Sequence, residues 1–134
     1  MTLRSSENQV VHDELIRKLV DNLIGKGYQD IRAAVLPEFS EMRPEKIYSD
    51  EAEMYFSPDV MAYHNGHQML FEVETVDSIL APSTRVELRT FASYAAEQKA
   101  AFYLVMPEQD KTLAHATLAE IENRDLRRSF ALTI

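Results

Sequence analysis

Residues 56–76 read FSPDVMAYHNGHQMLFEVETV, in which two strand-forming runs flank the dipeptide Asn65-Gly66. This dipeptide is the one that a two-residue type I′ hairpin turn prefers, since both of its residues adopt a positive φ. The pattern therefore predicts an antiparallel hairpin that turns at Asn65-Gly66. In that register Asp59 lies directly opposite Glu72.

Three acids of this segment fall on one face of the predicted hairpin. Side chains alternate along a strand, so Glu74 shares the face of Glu72, and both share the face of Asp59. The same face carries Met61 and Leu70, and like charges that oppose each other on a half-buried face are destabilising. A divalent cation would relieve this repulsion, since Mg²⁺ prefers oxygen ligands. The alternative is that the acids end the sheet in solvent.

The rest of the chain reads as helices and strands around this hairpin. The predicted elements are a helix at 10–27, strands at 31–36, 101–106 and 130–134, and helices at 83–99 and 110–122. Residues 38–55 are weakly patterned, with a further strand near 47–48 or 54–56. The order α-β-β-β-α-β-α-β predicts one α/β domain over residues 1–134, with helices flanking a mixed central sheet.

Apolar periodicity also predicts the core between the first helix and the sheet. The residues expected to be buried there are Leu15, Leu19, Leu23, Val35, Val60, Phe71, Val73, Leu104 and Val105.

Composition excludes several classes of protein. With no cysteine, the chain has no disulfide scaffold, thiolate zinc site or cysteine nucleophile. There is no apolar run long enough to span a bilayer and no signal-peptide pattern, so a cytoplasmic protein without a membrane segment is expected. The net charge is −8, with 22 acids against 14 Lys and Arg. Contact with nucleic acid therefore requires a local basic patch, a metal or a partner.

Pro58-Asp59, followed thirteen residues after Asp59 by Glu72-Val73-Glu74, resembles the signature of the PD-(D/E)xK nucleases. That superfamily includes restriction endonucleases, Holliday-junction resolvases and repair nucleases. Its core is a mixed sheet in the order helix, three strands, helix, strand, which agrees with the elements predicted for residues 10–106. The resemblance implies a restriction-endonuclease-like, three-layer fold over about three-quarters of the chain.

The resemblance also implies a metal site. Asp59 and Glu72 match the metal-binding acids of the family, which use Mg²⁺ or Mn²⁺. Glu14, on the first predicted helix, corresponds to the further acidic ligand that many members carry there. An equally weighted interpretation of Glu14 is a solvated helix flank beside Lys18.

Residues 87–91, ELRTF, are similar to the Q-x-x-x-Y helix motif of several subfamilies. Glu87 stands at the glutamine position and Phe91 at the aromatic position, so both positions depart from the motif. The resemblance implies that Glu87 and Arg89 bind substrate. A local interpretation of Glu87 is a capping box with Thr84 at the start of the helix.

Glu74 is the main departure from the family, which has a lysine two residues after the second acid. The lysine charge orients the attacking water and stabilises the transition state, and a carboxylate cannot replace it. Three explanations stay open: Glu74 is a further metal ligand or general base, the domain no longer cuts, or the cation has moved. The candidates for a moved cation are Lys46, Arg85, Arg89 and Lys99.

Two hypotheses of function follow. The first is a metal-dependent nuclease that acts on DNA, with Asp59, Glu72 and Glu74 as its catalytic acids and either Glu14 or Glu87 as a further member of the metal shell. The second is a non-catalytic module of the same fold that binds a partner or serves in an assembly. The acidic charge and the missing lysine favour the second, and the cluster of unrelieved acids favours the first. A homodimer or an unknown protein partner is compatible with both.

Overall fold

A computed structural model describes residues 4–121 and 127–134. The helices are α1 (Ser6–Gly25), α2 (Pro82–Gln98) and α3 (Lys111–Ile121). The strands are β1 (Gln29–Ala33), β2 (Ile47–Ser49), β3 (Met54–Phe56), β4 (Val60–His64), β5 (His67–Val73), β6 (Ala101–Met106) and β7 (Ser129–Thr133). No helix among the described residues is long and apolar enough to cross a membrane.

The main sheet is mixed and has five strands in the order β1-β4-β5-β6-β7. The pairs β1–β4 and β4–β5 are antiparallel, whereas the pairs β5–β6 and β6–β7 are parallel. The two short strands β2 and β3 form a separate antiparallel sheet. Both of the alternative sites for a further strand are therefore strands, and they pair with each other. The mixed α/β class is confirmed.

Each face of the main sheet carries its own apolar core. Helix α1 packs on one face, where Phe71, Val73 and Val105 are buried. Helices α2 and α3 pack on the other face, over Leu70 and Leu104. Neighbouring residues of a strand point to opposite faces, so β5 and β6 supply both cores and are apolar throughout most of their length.

The predicted hairpin is confirmed, including its register. Strand β4 pairs with β5 so that Val60 lies opposite Phe71. The turn residues Asn65 and Gly66 have φ values of 52° and 79°, as a type I′ turn requires. One residue before β4, the backbone N–H of Asp59 donates to Glu72 Oε1 over 3.0 Å, which places these two acids opposite each other.

Replacing Gly66 with alanine is expected to lower the free energy of unfolding by about 1–2 kcal/mol, because an L side chain is strained at positive φ. No atom lies within 4 Å of a Cβ at this position, so the cost is conformational rather than steric. The matched control is Gly25→Ala in α1, where there is also open space and no positive φ. It should stabilise the protein by about 0.4–1 kcal/mol. Equal effects of the two variants in urea unfolding would contradict this account.

Two residues of the predicted core are placed differently. Val35 is 45% exposed, because β1 ends at Ala33 and the backbone at Val35 has a φ of 55°. The prediction of a strand over 31–36 is correspondingly wrong at its end. Leu104 is buried, but it packs under α2 and α3 rather than α1, since it alternates along β6 with Val105.

The helix starts also differ from the predictions. Helix α1 begins at Ser6, earlier than predicted, because the Ser5 side chain accepts the N–H of Asn8 as an N-cap. Helix α2 begins after Ala81, which offers no side-chain cap. The predicted capping box is therefore wrong, because Thr84 lies inside the helix rather than at its N-cap. The last predicted helix reached residue 122, which lies outside the described residues.

Candidate metal centre

Three glutamates come together beneath the first turns of α2. Glu72 is near the end of β5, Glu74 follows that strand directly, and Glu87 projects from α2. Each offers one carboxylate oxygen, and these oxygens all lie within 4.8 Å of one another. Glu72 is 6% exposed and Glu74 is 1% exposed. We call these three residues the acid cluster.

The acid cluster follows from the alternation of residues in β5 and from the turn after it. Glu72 and Glu74 point to the face that α2 covers, while Val73 between them faces α1. The N–H of Glu74 donates to Val105 O over 2.9 Å, so pairing with β6 continues past the end of β5. The Ser78 hydroxyl then donates to Glu74 Oε1, which fixes that carboxyl group within the turn.

Burial of so many carboxyl groups disfavours their charged forms. Burial, and then the charges of Asp59 and the other two glutamates, raises the pKa of Glu72 well above its ordinary value. Burial raises the pKa of Glu74 to about 7, although the hydrogen bond from Ser78 opposes this. Burial raises the pKa of Glu87 as well. Without a cation, the acid cluster therefore keeps part of its protons at neutral pH.

Asp59 lies beside the acid cluster and ties the hairpin to α1. Its Oδ2 accepts the N–H of Val73 over 2.8 Å and lies 3.2 Å from Nε2 of His12. His12 is buried in α1, and its Nδ1 lies 2.9 Å from Asp13 Oδ1. Burial by itself lowers the pKa of His12, but the hydrogen bond and charge of Asp59, together with Asp13, outweigh it and raise the pKa overall.

Arg4 is the cation that contacts the acid cluster within the part of the chain that the structure describes. Its Nη2 donates to Val73 O over 3.1 Å and lies 3.5 Å from Glu74 Oε1. The Arg4 side chain is 12% exposed. Its Nε is buried and has no hydrogen-bond partner among residues 4–121 and 127–134. A donor without an acceptor at this depth is costly, so an oxygen acceptor placed beside Nε would stabilise it.

The four cations that the sequence offered as replacements for the motif lysine are not in contact with the acid cluster. Arg85 donates to Glu120 over 2.7 Å, and Arg89 forms a two-bond ion pair with Glu51. Lys99 caps the far end of α2 in a left-handed conformation. Lys46 precedes β2 and is exposed.

Of the two acids offered as a further ligand, Glu14 and Glu87, the structure brings only Glu87 to the described acid cluster, and Arg89 lies apart from it. Glu14 is exposed on α1, so the structure does not bring it to the other acids. Glu87 joins the acid cluster itself. Arg89 lines a separate cleft of 270 Å³ between α2 and strand β2 with the turn that follows it, where Tyr48 and Tyr94 are also found. Asp59, Glu72 and Glu74 are adjacent, as the hairpin register predicts.

Sequence reasoning missed Arg4 and His12. A signal existed for His12, since it precedes Leu15, Leu19 and Leu23 at helical spacing and so belongs to the buried stripe of α1. No local signal marks Arg4, because it lies outside any periodic element. It reaches Val73 only through the docking of α1 on the sheet.

The acid cluster has the chemistry of a hard-cation site. Carboxylate oxygens are the ligands that Mg²⁺ and Mn²⁺ take in proteins. Oxygens bound to one Mg²⁺ are at most about 4.2 Å apart, since each bond is about 2.1 Å long. The 4.8 Å spread of the glutamate oxygens is slightly wider, so small side-chain rotations would close the shell. The donor set therefore fits a divalent ion.

Comparison with family models, with curated proteins and with solved structures finds no match to this chain. The fold and the site together define a mixed α/β domain with a buried carboxylate cluster at the carboxyl end of a central parallel strand pair.

Proposed function

We propose that this chain is a divalent-metal-dependent nuclease domain of the PD-(D/E)xK type that acts on DNA phosphodiesters. The observation that carries the proposal is the convergence of Glu72, Glu74 and Glu87 within 4.8 Å, beside the Asp59 of the motif. Buried carboxylates held this close repel each other unless they are protonated or bound to a cation.

The arrangement of elements supports the same family. Helix α1, strands β1, β4 and β5, helix α2 and strand β6 follow the order helix, three strands, helix, strand. Of the motif acids, Glu72 lies on β5, and Asp59 directly precedes β4, the strand that pairs with β5. The small β2–β3 sheet is then an insertion between the first and second strands of that core.

In this proposal the acid cluster binds Mg²⁺ or Mn²⁺ through one oxygen of each glutamate. The ion would supply Lewis acidity toward a phosphodiester and lower the pKa of a bound water. Asp59 stays in place through its hydrogen bonds with Val73 and His12, and it adds negative charge beside the cluster. Its backbone N–H holds the Glu72 carboxylate in position.

Arg4 takes the part that lysine has in the family pattern. Its guanidinium already lies between Val73 O and Glu74, and its Nε, which has no partner in the described part of the chain, would donate to a phosphate oxygen placed beside it. A guanidinium keeps its charge under all working conditions, so it stabilises negative charge but does not act as a base. Arg4, two residues before α1, thus supplies the positive charge that Glu74 cannot supply at the lysine position.

Cleavage of supercoiled plasmid DNA in Mn²⁺ or Mg²⁺ tests this proposal. Wild-type protein should produce nicked or linear DNA, and Glu72→Gln should be at least about 100-fold slower. Arg4→Ala should lose about 10²–10³-fold in rate, the typical effect of removing one donor that stabilises transition-state charge. The matched control is Glu97→Gln, an exposed glutamate at the far end of α2, which should cleave like wild type.

A second candidate function is a non-catalytic, metal-stabilised module of the same fold. It is favoured by the near-complete burial of Glu74, which stands at the lysine position and is held by Ser78 and Arg4. Wild-type protein that binds manganese but leaves plasmid and single-stranded DNA intact would contradict the nuclease proposal and support this module instead.

A further inference from the structure

Strand β7 forms one edge of the main sheet, and its sequence SFALT carries no charge and no proline. Exposed edges are templates for pairing, and proteins usually protect them with charges, prolines or bulges. The opposite edge is protected in this way: β1 has an irregular register between Gln29 and Arg32, and Asp30 has a φ of 50°. Edge strand β7 has a regular register with β6 along its whole length.

The backbone of β7 presents a defined set of groups that β6 does not pair. Ile134 donates its N–H inward, to Met106 O over 3.2 Å. Alternate residues of a strand direct their backbone groups to opposite sides, so Ser129, Ala131 and Thr133 direct theirs outward.

We propose that β7 pairs with β7 of a second copy of this chain, antiparallel about a twofold axis at Ala131, to form one ten-stranded sheet. In this register Ala131 faces its own counterpart, and Ser129 faces Thr133 of the other copy. All three outward residues then exchange hydrogen bonds, which gives about six bonds in the ladder. Registers shifted along the strand leave some of these groups unpaired.

The side chains on the α3 side of the edge fit this register. Ser129 Oγ is buried and has no hydrogen-bond partner among the described residues. Thr133 Oγ1 donates to Glu108 Oε2 over 2.8 Å and can still accept a bond. Pairing would set Ser129 of one copy against Thr133 of the other, a favourable cross-strand pair.

Charges at the two ends of β7 are also complementary. Arg127 and Arg128 precede the strand, and Glu108 lies beside its last residue, Thr133. An antiparallel twofold pair brings the basic end of each strand to the acidic end of the other. The charge pattern thus favours the antiparallel arrangement of two identical strands.

On the α1 side, a row of rings crosses the sheet and ends at the edge. Phe71 stacks on Tyr103 with centroids 5.1 Å apart, and Tyr103 lies 5.3 Å from Phe130. Phe130 is 46% exposed, whereas Leu132, two residues on, lines a 250 Å³ cleft beside α1. In the proposed register Phe130 lies opposite Leu132 of the second copy, so each copy covers the exposed ring of the other.

The proposed pairing also fixes the relation between the two acid clusters. Glu72 is level with Leu104 in β6, and Leu104 is level with Ala131 in β7. The clusters would lie on the same face of the continuous sheet, five strand spacings or roughly 24 Å apart. The inference of the dimer itself does not depend on the proposed function.

Disulfide formation by Ala131→Cys tests the register, since the chain has no other cysteine. Facing residues of a hydrogen-bonded pair have Cα atoms about 5.5 Å apart, within the range that a disulfide spans. Mild oxidation should give a species of twice 15.4 kDa. The control Tyr55→Cys, on exposed β3, should form no covalent dimer under the same oxidation, as judged by non-reducing denaturing electrophoresis. Equal crosslinking of both variants, or none in Ala131→Cys, would overturn the proposed register.

Sedimentation equilibrium tests the interface without a crosslink. The wild type should dimerise, and Ala131→Pro should be monomeric yet folded, because proline removes an outward N–H at a sheet edge. Phe130→Ser, which leaves the backbone intact, should weaken the dimer at least about tenfold. Tyr55→Ser should dimerise like wild type. A wild type that remains monomeric up to about 1 mM, or a Phe130→Ser dimer of unchanged affinity, would overturn the proposal.

Discussion

Glu74→Gln is expected to stabilise the metal-free protein at pH 8 by about 3 kcal/mol. The reason is that burial raises the pKa of Glu74 from 4.5 to about 7, and each pKa unit corresponds to about 1.4 kcal/mol between the two protonation states. Glutamine keeps the size of the side chain and an oxygen that accepts from Ser78. The substitution removes the buried negative charge that destabilises the folded state at pH 8.

The sign of this effect sets its pH dependence. The folded state holds a proton on Glu74 between about pH 4.5 and 7, where the unfolded chain has lost it, so the stability falls as the pH rises through this window. The raised pKa values of Glu72 and Glu87 act in the same direction. The raised pKa of His12 also stabilises the folded state at low pH and ceases to do so as the pH rises through its folded-state pKa.

Urea unfolding from pH 5 to 8 in chelator measures the effect. Wild-type stability should decline across this range, and the decline should be shallower in Glu74→Gln. The matched control is Glu97→Gln, an exposed glutamate of α2, which should stay within about 0.5 kcal/mol of wild type. A wild-type free energy of unfolding that rises with pH, or a Glu74→Gln variant less stable than wild type at pH 8, would show that the buried Glu74 charge does not destabilise the fold.

Leu104→Ala is expected to lower the free energy of unfolding by about 2–5 kcal/mol, the usual cost of a Leu-to-Ala cavity in a core. Leu104 is fully buried on β6, the strand between β5 and β7, and it packs under α2 and α3. It is also level with Glu72, so the cavity would open close to the acid cluster.

The matched control for Leu104→Ala is Leu80→Ala, because Leu80 is 64% exposed in the turn before α2. That variant should change the stability by less than about 0.5 kcal/mol. Denaturant unfolding of both variants at one pH gives the comparison. A loss below about half a kcal/mol for Leu104→Ala would mean that β6 is not a central strand.

The sequence was sufficient for the hairpin and for the pairing of its acids, because both depend on local rules. Asn65-Gly66 dictates the turn, and the turn fixes every pair along β4 and β5. The apolar run 101–106 likewise defines β6 at both ends. For these two patterns, which had few alternatives, the prediction and the structure agree.

Other features depend on how distant elements dock, and the sequence carried no local signal for these. Leu104 is apolar on a strand that is apolar on both faces, so periodicity alone did not indicate which helix covers it. Glu87 rather than Glu14 joins the acids, because α2 crosses above the end of β5 while Glu14 points away from the sheet on α1. Arg4 reaches Val73 across 69 residues of chain, a contact that only the tertiary fold creates.

Calorimetric titration of manganese into metal-free protein tests the central claim, that the acid cluster binds a divalent ion. Wild-type protein should give a saturable heat with about one ion per chain, and the ion should stabilise it by about 2.7 kcal/mol at 100 times its Kd. Glu72→Gln, which keeps the oxygen that accepts from Asp59, should lose this heat, whereas Glu97→Gln should retain it. The same flat trace for wild type and Glu72→Gln would contradict the metal site.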